Sequence, residues 1–355
     1  MTADWASARV EVPSDLDAFQ DEMERRGWGD GLPLVPPTPE RVAAFVAAAG
    51  RPPAEVVASL PPTWAEATVE KVAVNAVMAG CRPEHLPVVL AAIRAAAQEP
   101  FNLYAVQTTT HPCAVLVVVS GPVAGDLGMN AGYGAFGPGN RANATIGRAV
   151  RLVLMNVGGA RPGTLDRATQ GTPAKYTYCV AENDAASPWE PLRVALGYDA
   201  ADSIVTVVAG EGPHNINDHG STTADSLLRQ ITGTLAIPGS NNAYMQGDSY
   251  LFLGPEHARQ LAAEGLDRAA VQRLVFEGAR IPRERFGPGQ LERIEQVLSA
   301  DQVSATREAL RVGADPEDVR VLVVGGDGRH SCWVPTFGMT RSCTELLAPP
   351  PQRGR

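Results

Sequence analysis

The sequence predicts an α/β protein with a helix-rich N-terminal half and a mostly parallel sheet in the C-terminal half, and three observations carry that reading. Apolar residues recur at helical spacing through the N-terminal third. Short glycine-bounded runs of β-branched residues, such as AVLVVVS at 114–120, have the composition of buried strands. Residues 197–215, GYDAADSIVTVVAGEGPHN, align without a gap on residues 313–331, GADPEDVRVLVVGGDGRHS, with nine of nineteen positions identical. Each copy is expected to leave a helix at Gly197 or Gly313, pass an acidic turn and run as a strand into a loop of the form Gly-acid-Gly-x-His. A looser pairing of YTYCVAEN with YLFLGPEH extends the repeat upstream and favours strand-helix-strand units.

Taken in order, residues 15–27 have the spacing of a short amphipathic helix, and the glycine- and proline-rich stretch from Gly27 to Thr38 that of a rigid loop. Thr38-Pro39-Glu40 is a helix start and Gly50 with Pro52 and Pro53 a stop. Residues 68–80 and 84–98 predict two further helices, the first apolar nearly all round and therefore buried. The stretch beyond the AVLVVVS strand contains Gly132-x-Gly134-x-x-Gly137. Those glycines lie about a dozen residues past the strand, and no acid follows at the spacing a ribose needs, so no nucleotide cofactor is expected. A helix is predicted from near Ala142, and two more from GPEHARQLAAEG and DRAAVQRLVFEG. The organisation expected is a helix-rich unit over 1–174 with a glycine-rich loop and an anion-binding helix, an α/β unit over 175–346, and a proline-rich disordered tail over 347–355.

Composition narrows the function. A chain of 355 residues with 45% apolar content buries a substantial core. Its formal charge of −9 disfavours phosphate backbones and anionic lipid, leaving a small molecule as the expected partner, with no nucleic acid and no membrane. The five cysteines are odd in number and widely spaced, and no basic, apolar leader is evident, which together predict a soluble protein of the reducing cytoplasm. Acidic proteins of this size commonly form symmetric homo-oligomers, and that is the expectation here.

Only two of the thirty basic residues are lysines, Lys71 and Lys175. Where arginine does the ordinary surface work, a retained lysine points to a compact amine whose pKa can be lowered, and both are candidate catalytic groups. Asn75 shares a helical face with Lys71 and is a candidate for binding the same ligand. Arg141, Asn143 and Arg148 crowd a predicted helix start, where free amides and guanidinium groups receive carboxylates or phosphates. The repeat places His214 and His330 at equivalent loop tips, making them the leading acid-base candidates beside His111. Asn217 and Asp218 add substrate-binding chemistry to the first loop. Cys113 and Cys332 each stand two residues after a histidine, and Cys113 is a candidate nucleophile. No cofactor is required by these residues; a transition metal held by His111, His214, His219 and His330 is the one candidate. The chemistry expected is a lyase, hydrolase or isomerase reaction on a small carboxylate-bearing metabolite, set against a metal-dependent enzyme and a non-catalytic binding or partner protein.

The stretches GWGDGLPLVPPT, TVEKVAVNAVMAGC, TTHPCAVL and GPGNRANATIGRAVRL together resemble a bacterial family of uncharacterised proteins associated with the Sec-Gly-Ser-Cys selenoproteins. The resemblance extends over most of the chain and implies no activity for particular residues. The family's name motif is missing: the nearest stretch is Arg341-Ser342-Cys343-Thr344, so no selenium or redox role is carried over.

Overall fold

The computed structural model describes residues 5–243, 245–299 and 308–347. The segment expected to be a disordered tail lies outside them beyond residue 347. Among the described residues no helix is long and apolar enough to cross a membrane.

Helix α1, Leu16–Arg25, starts where the Asp15 carboxylate accepts from the amide of Ala18. Helix α2, Pro39–Ala49, has proline in its first turn and ends at Gly50 in the left-handed region. An antiparallel hairpin of β1, Val56–Leu60, and β2, Ala65–Thr68, follows. Thr68 then caps α3, Val69–Ala79, which is buried on nearly every side as its composition requires, and Gly80 closes it at a φ of 87°. Helix α4, Leu86–Ala96, and the short α5, Leu103–Thr108, complete the first helical layer. The β-branched run is β3, Ala114–Ser120; after α6, Pro122–Asp126, the glycine-rich loop leads into α7, Arg141–Asn156, capped by Asn140.

The second half supplies β4, Cys179–Ala181, α8, Leu192–Ala195, β5, Ile204–Gly210, β6, His214–Asn217, and α9, Ala224–Leu235. Next come β7, Ser249–Leu253, α10, Pro255–Ala263, α11, Arg268–Gly278, β8, Arg280–Pro282, and α12, Pro288–Val297. Strands β9, Ala309–Arg311, β10, Val319–Val323, β11, His330–Val334, and β12, Cys343–Leu346, close the described chain. Strand β9 precedes Gly313, where a helix was expected, because residues 309–311 pair with β8.

Two four-stranded sheets form the centre, in the orders β12-β5-β3-β4 and β10-β7-β11-β6. Only β3–β4 and β7–β10 run parallel; every other pair in these sheets is antiparallel, so the mostly parallel sheet expected from the sequence is instead two mixed sheets. The physical reason is in the connections. Strands β5 and β6 are separated by a three-residue loop, too short for a crossover helix, and β6 therefore pairs antiparallel with β11.

Alternation along the strands sets the layers. Leu116 and Val118 of β3, Tyr250 and Phe252 of β7, and Leu322 of β10 share one cluster, which places it between the two sheets. The alternate residues face outward: Val117, Val119, Val205 and Val207 join a cluster with residues of α1–α4 and α7, whereas Leu251, Val321 and Trp333 join one with residues of α9–α11. The result is helices, sheet, sheet, helices. The sheets are also stitched at their edges, since Phe337 donates to the Ala209 carbonyl and Glu211 to that of Pro335 on one side, and Asn183 donates to the Val323 carbonyl on the other. The two repeat copies thus enter different sheets, β5 in one and β10 in the other; they come together in the inner cluster, through Val208, Leu322 and Val324, and where β6 pairs with β11.

Candidate functional site

A cavity of about 580 Å³ lies in the N-terminal helical layer. That is the size range of small-ligand sites. Phe19 and Met23 from α1, Val42 from α2, and Val74 and Met78 from α3 supply apolar wall. Lys71 and Asn75, expected on one face of α3, both line it.

A chain of amides gives this cavity a fixed polar edge. Asn75, buried, donates to the Lys71 carbonyl at 2.9 Å and accepts from Asn156 Nδ2 at 2.7 Å. Asn156 also donates to the Trp28 carbonyl at 2.9 Å and accepts at Oδ1 from Arg161 Nη2 at 3.0 Å. Arg161 reaches the Gly27 carbonyl as well. Three turns of sequence are thereby locked together: the 27–28 loop, α3 and the C-terminal end of α7. Lys71 Nζ donates to the Glu66 carbonyl at 2.8 Å and has no carboxylate partner among the described residues. Its neighbour Glu70 is turned to the opposite task, accepting the amides of Ala6 and Ser7 at 3.0 and 3.1 Å and so fastening residues 5–12 over the cavity. Among the described residues the cavity lining carries Arg9, Lys71 and Arg161 against the single carboxylate of Glu70.

The expected anion receptor at the start of α7 is put to structural use. Arg148 forms a two-pronged ion pair with Asp30 at 2.7 and 2.8 Å and donates to the Leu32 carbonyl. Arg141 donates to the carbonyls of Gly80 and Cys81, satisfying the open end of α3. Asn143 is buried and pins the glycine-rich loop through the amide of Asn130 and the carbonyls of Asn130 and Ala135. Guanidinium groups spent on fixed partners have no strong attraction left for a ligand.

Lys175 is bound to Asp166 at 2.7 Å, and Arg151 holds the same carboxylate at 2.9 Å. Burial would raise the Asp166 carboxyl, but Lys175, the Ala168 amide and Arg151 outweigh it and leave it below its ordinary value. His111 accepts from the amide of Cys113 at Nδ1, which puts its proton on Nε2, 2.9 Å from Glu211 Oε1. Both ring nitrogens are then occupied and neither lone pair is open to a substrate. The thiol of Cys113, likewise, is pushed up to about 12 by burial and is protonated near neutrality.

The loop histidines divide. Across the β6–β11 ladder Trp333 faces His214 and Asn217 faces His330. Positions 330 and 333 differ by an odd number and point to opposite faces, so His214 and His330 do not share a crevice. His330 meets His219 instead: their Nε2 atoms are 3.2 Å apart, their ring planes at 76°, and His330 Nδ1 is 3.0 Å from Asn215 Oδ1. Asn217, like His214, is exposed. Asp218 is buried and shapes the turn before His219: Oδ1 accepts the amides of Gly220 and Ser221. Burial would raise its carboxyl, and those donors hold it below its usual value all the same. His257, fully buried, bonds Ser331 Oγ and the Asp218 carbonyl, and burial lowers its pKa. Of the four candidate metal ligands the fold therefore unites only His219 and His330.

Sequence reasoning missed Asn156, Arg161 and Glu70. Their only signal was polarity beside apolar helical stretches, which many surface residues share. Comparison with protein-family models found no match to this chain, and comparison with curated proteins found none either.

Proposed function

We propose that this protein binds, and acts on, a small carboxylate-bearing molecule in the N-terminal cavity, with Lys71 as the reacting amine. One observation carries the reading: apolar walls around about 580 Å³ meet a cationic lining in which Lys71 has no carboxylate partner among the described residues. An apolar body would fill the interior while Arg9 attracts the anionic end. Beside a desolvating wall, a lysine amine serves as base or as imine-forming nucleophile. The lyase, hydrolase and isomerase classes all fit such a group. Lys175, His111 and Cys113, each committed to other partners or protonated, leave the chemistry to Lys71. A cytoplasmic location and a homo-oligomeric state belong to the same proposal, resting on net charge and cysteine spacing.

Trp5 and Trp28 line the cavity and report on it. Adding phenylpyruvate should quench their fluorescence saturably, and borohydride should then fix one adduct per chain on the peptide containing Lys71. Quenching without an adduct, and unaltered by Lys71→Met, identifies a binding protein in place of an enzyme. No quenching by phenylpyruvate, phenylacetate or octanoate refutes the site.

A further inference from the structure

We propose that His219 and His330 form a two-imidazole site for an exchangeable divalent transition metal ion, Zn²⁺ being the reference case. The site is independent of the cavity and lies at the junction of the two repeat-derived strands. Its geometry is the first support. Two nitrogens 3.2 Å apart, each ~2.05 Å from a common ion, subtend roughly 100° at it, close to tetrahedral. The ring planes cross at 76° with their centroids 5.0 Å apart, so the rings stand edge to face and are not stacked on each other.

Proton placement is the second support. Asn215 Oδ1 accepts only, so His330 must carry its proton on Nδ1, leaving the Nε2 lone pair directed at His219. An oxygen acceptor behind the ligating imidazole is the outer arrangement that metal-bound histidines use to fix tautomer and ring angle. In the metal-free pair His219 Nε2–H donates to His330. An incoming ion replaces that hydrogen bond with two dative bonds, and the displaced proton moves to His219 Nδ1, so charge and atoms balance with both rings neutral.

The third support is that the backbone on both sides is held. Arg329 grips the carbonyls of Asp218 and Ser221 and the amide oxygen of Gln260. His257 braces the Asp218 carbonyl from inside, and the Asp218 carboxylate fixes the turn that carries His219. On the other side Gly254 lets the His330 carbonyl approach: a Cβ there would sit 2.1 Å from it. Two exposed imidazoles are thus prepaid in position, which lowers the entropy lost on coordination. Among the described residues no third His, Cys, Asp or Glu joins them, so the remaining positions belong to water or to an oxygen of a second ligand. Two protein ligands make an open, exchangeable site and not a structural one.

Titrating the full chain with ZnCl₂ in a calorimeter should show one ion bound per chain. His219→Ala and His330→Ala should each weaken binding more than about tenfold, Asn215→Ala about tenfold, and His214→Ala, on the opposite face, should leave it unchanged. In the unmodified protein, Cu²⁺ below stoichiometry should broaden the ring-proton signals of His219 and His330 before those of His85 and His257. Absence of saturable Zn²⁺ binding overturns the proposal, as does binding that survives loss of both histidines or is abolished by His214→Ala.

Discussion

Burial decides which side chains here have chemistry to offer. Cys81, Cys113 and Cys332 are each pushed up to about 12, and Cys343 to about 11, in every case by burial first, while Cys179 is raised further for the same reason. The native protein at pH 8 should therefore react with a thiol reagent at fewer than one cysteine in the first minutes and at all five after denaturation. Rapid native labelling of Cys113 would restore it as a nucleophile. His85 shows the same control in a base: burial lowers it to about 4 from an ordinary 6.5. Protonation then favours the unfolded chain, so its contribution is complete above pH 6.5 and is lost as pH falls from there toward 4. Since its Nδ1 accepts the Arg82 amide, His85→Asn should keep the contact and flatten the fall in urea midpoint between pH 7 and 4.5. Equal slopes in the two proteins would falsify that assignment.

At the level of elements, α7 is the organising piece. Its outer face takes the 27–32 loop through Arg148 and Asn156, and its inner face lies against the chain entering β4, where a Cβ on Gly147 would sit 2.5 Å from the Tyr178 amide. Backbone cannot yield as a flexible side chain can. Gly147→Ala should cost about 1–3 kcal/mol in denaturant unfolding despite alanine's better helix propensity. The Asp30–Arg148 pair is largely buried, with side-chain exposures of 4% and 13%. Removing one partner, as in Asp30→Asn, should destabilise by roughly 3–5 kcal/mol because the guanidinium stays buried and unpaired. A loss smaller than about 1 kcal/mol would mean that Arg148 is free enough to serve a ligand after all.

The whole molecule is tied together through β3. It belongs to the N-terminal half yet pairs with β4 and β5 of the C-terminal half, and the inner cluster joins its Leu116 to Phe252 and Leu322 of the opposite sheet. A cut at residue 174 would leave both edges of β3 open. Thermal unfolding of the intact chain should consequently be one cooperative transition, with tryptophan fluorescence and far-ultraviolet circular dichroism coinciding. Two separated transitions would show that the helical layers fold apart.

The sequence by itself determined the local elements: Thr38, Thr68 and Gly80 mark helix ends by their own backbone chemistry, and the period of apolar residues tells β3 from α3. It placed Lys71 beside Asn75, because four residues on a helix make neighbours wherever the helix goes. Sheet direction, the loss of Arg141, Arg148 and Lys175 to structural partners, and the meeting of His219 with His330 in place of His214 were decided only by tertiary structure. A nearby sequence separation fixes a distance along one element, whereas a contact spanning 111 residues depends on how separate elements pack, and no local preference encodes that.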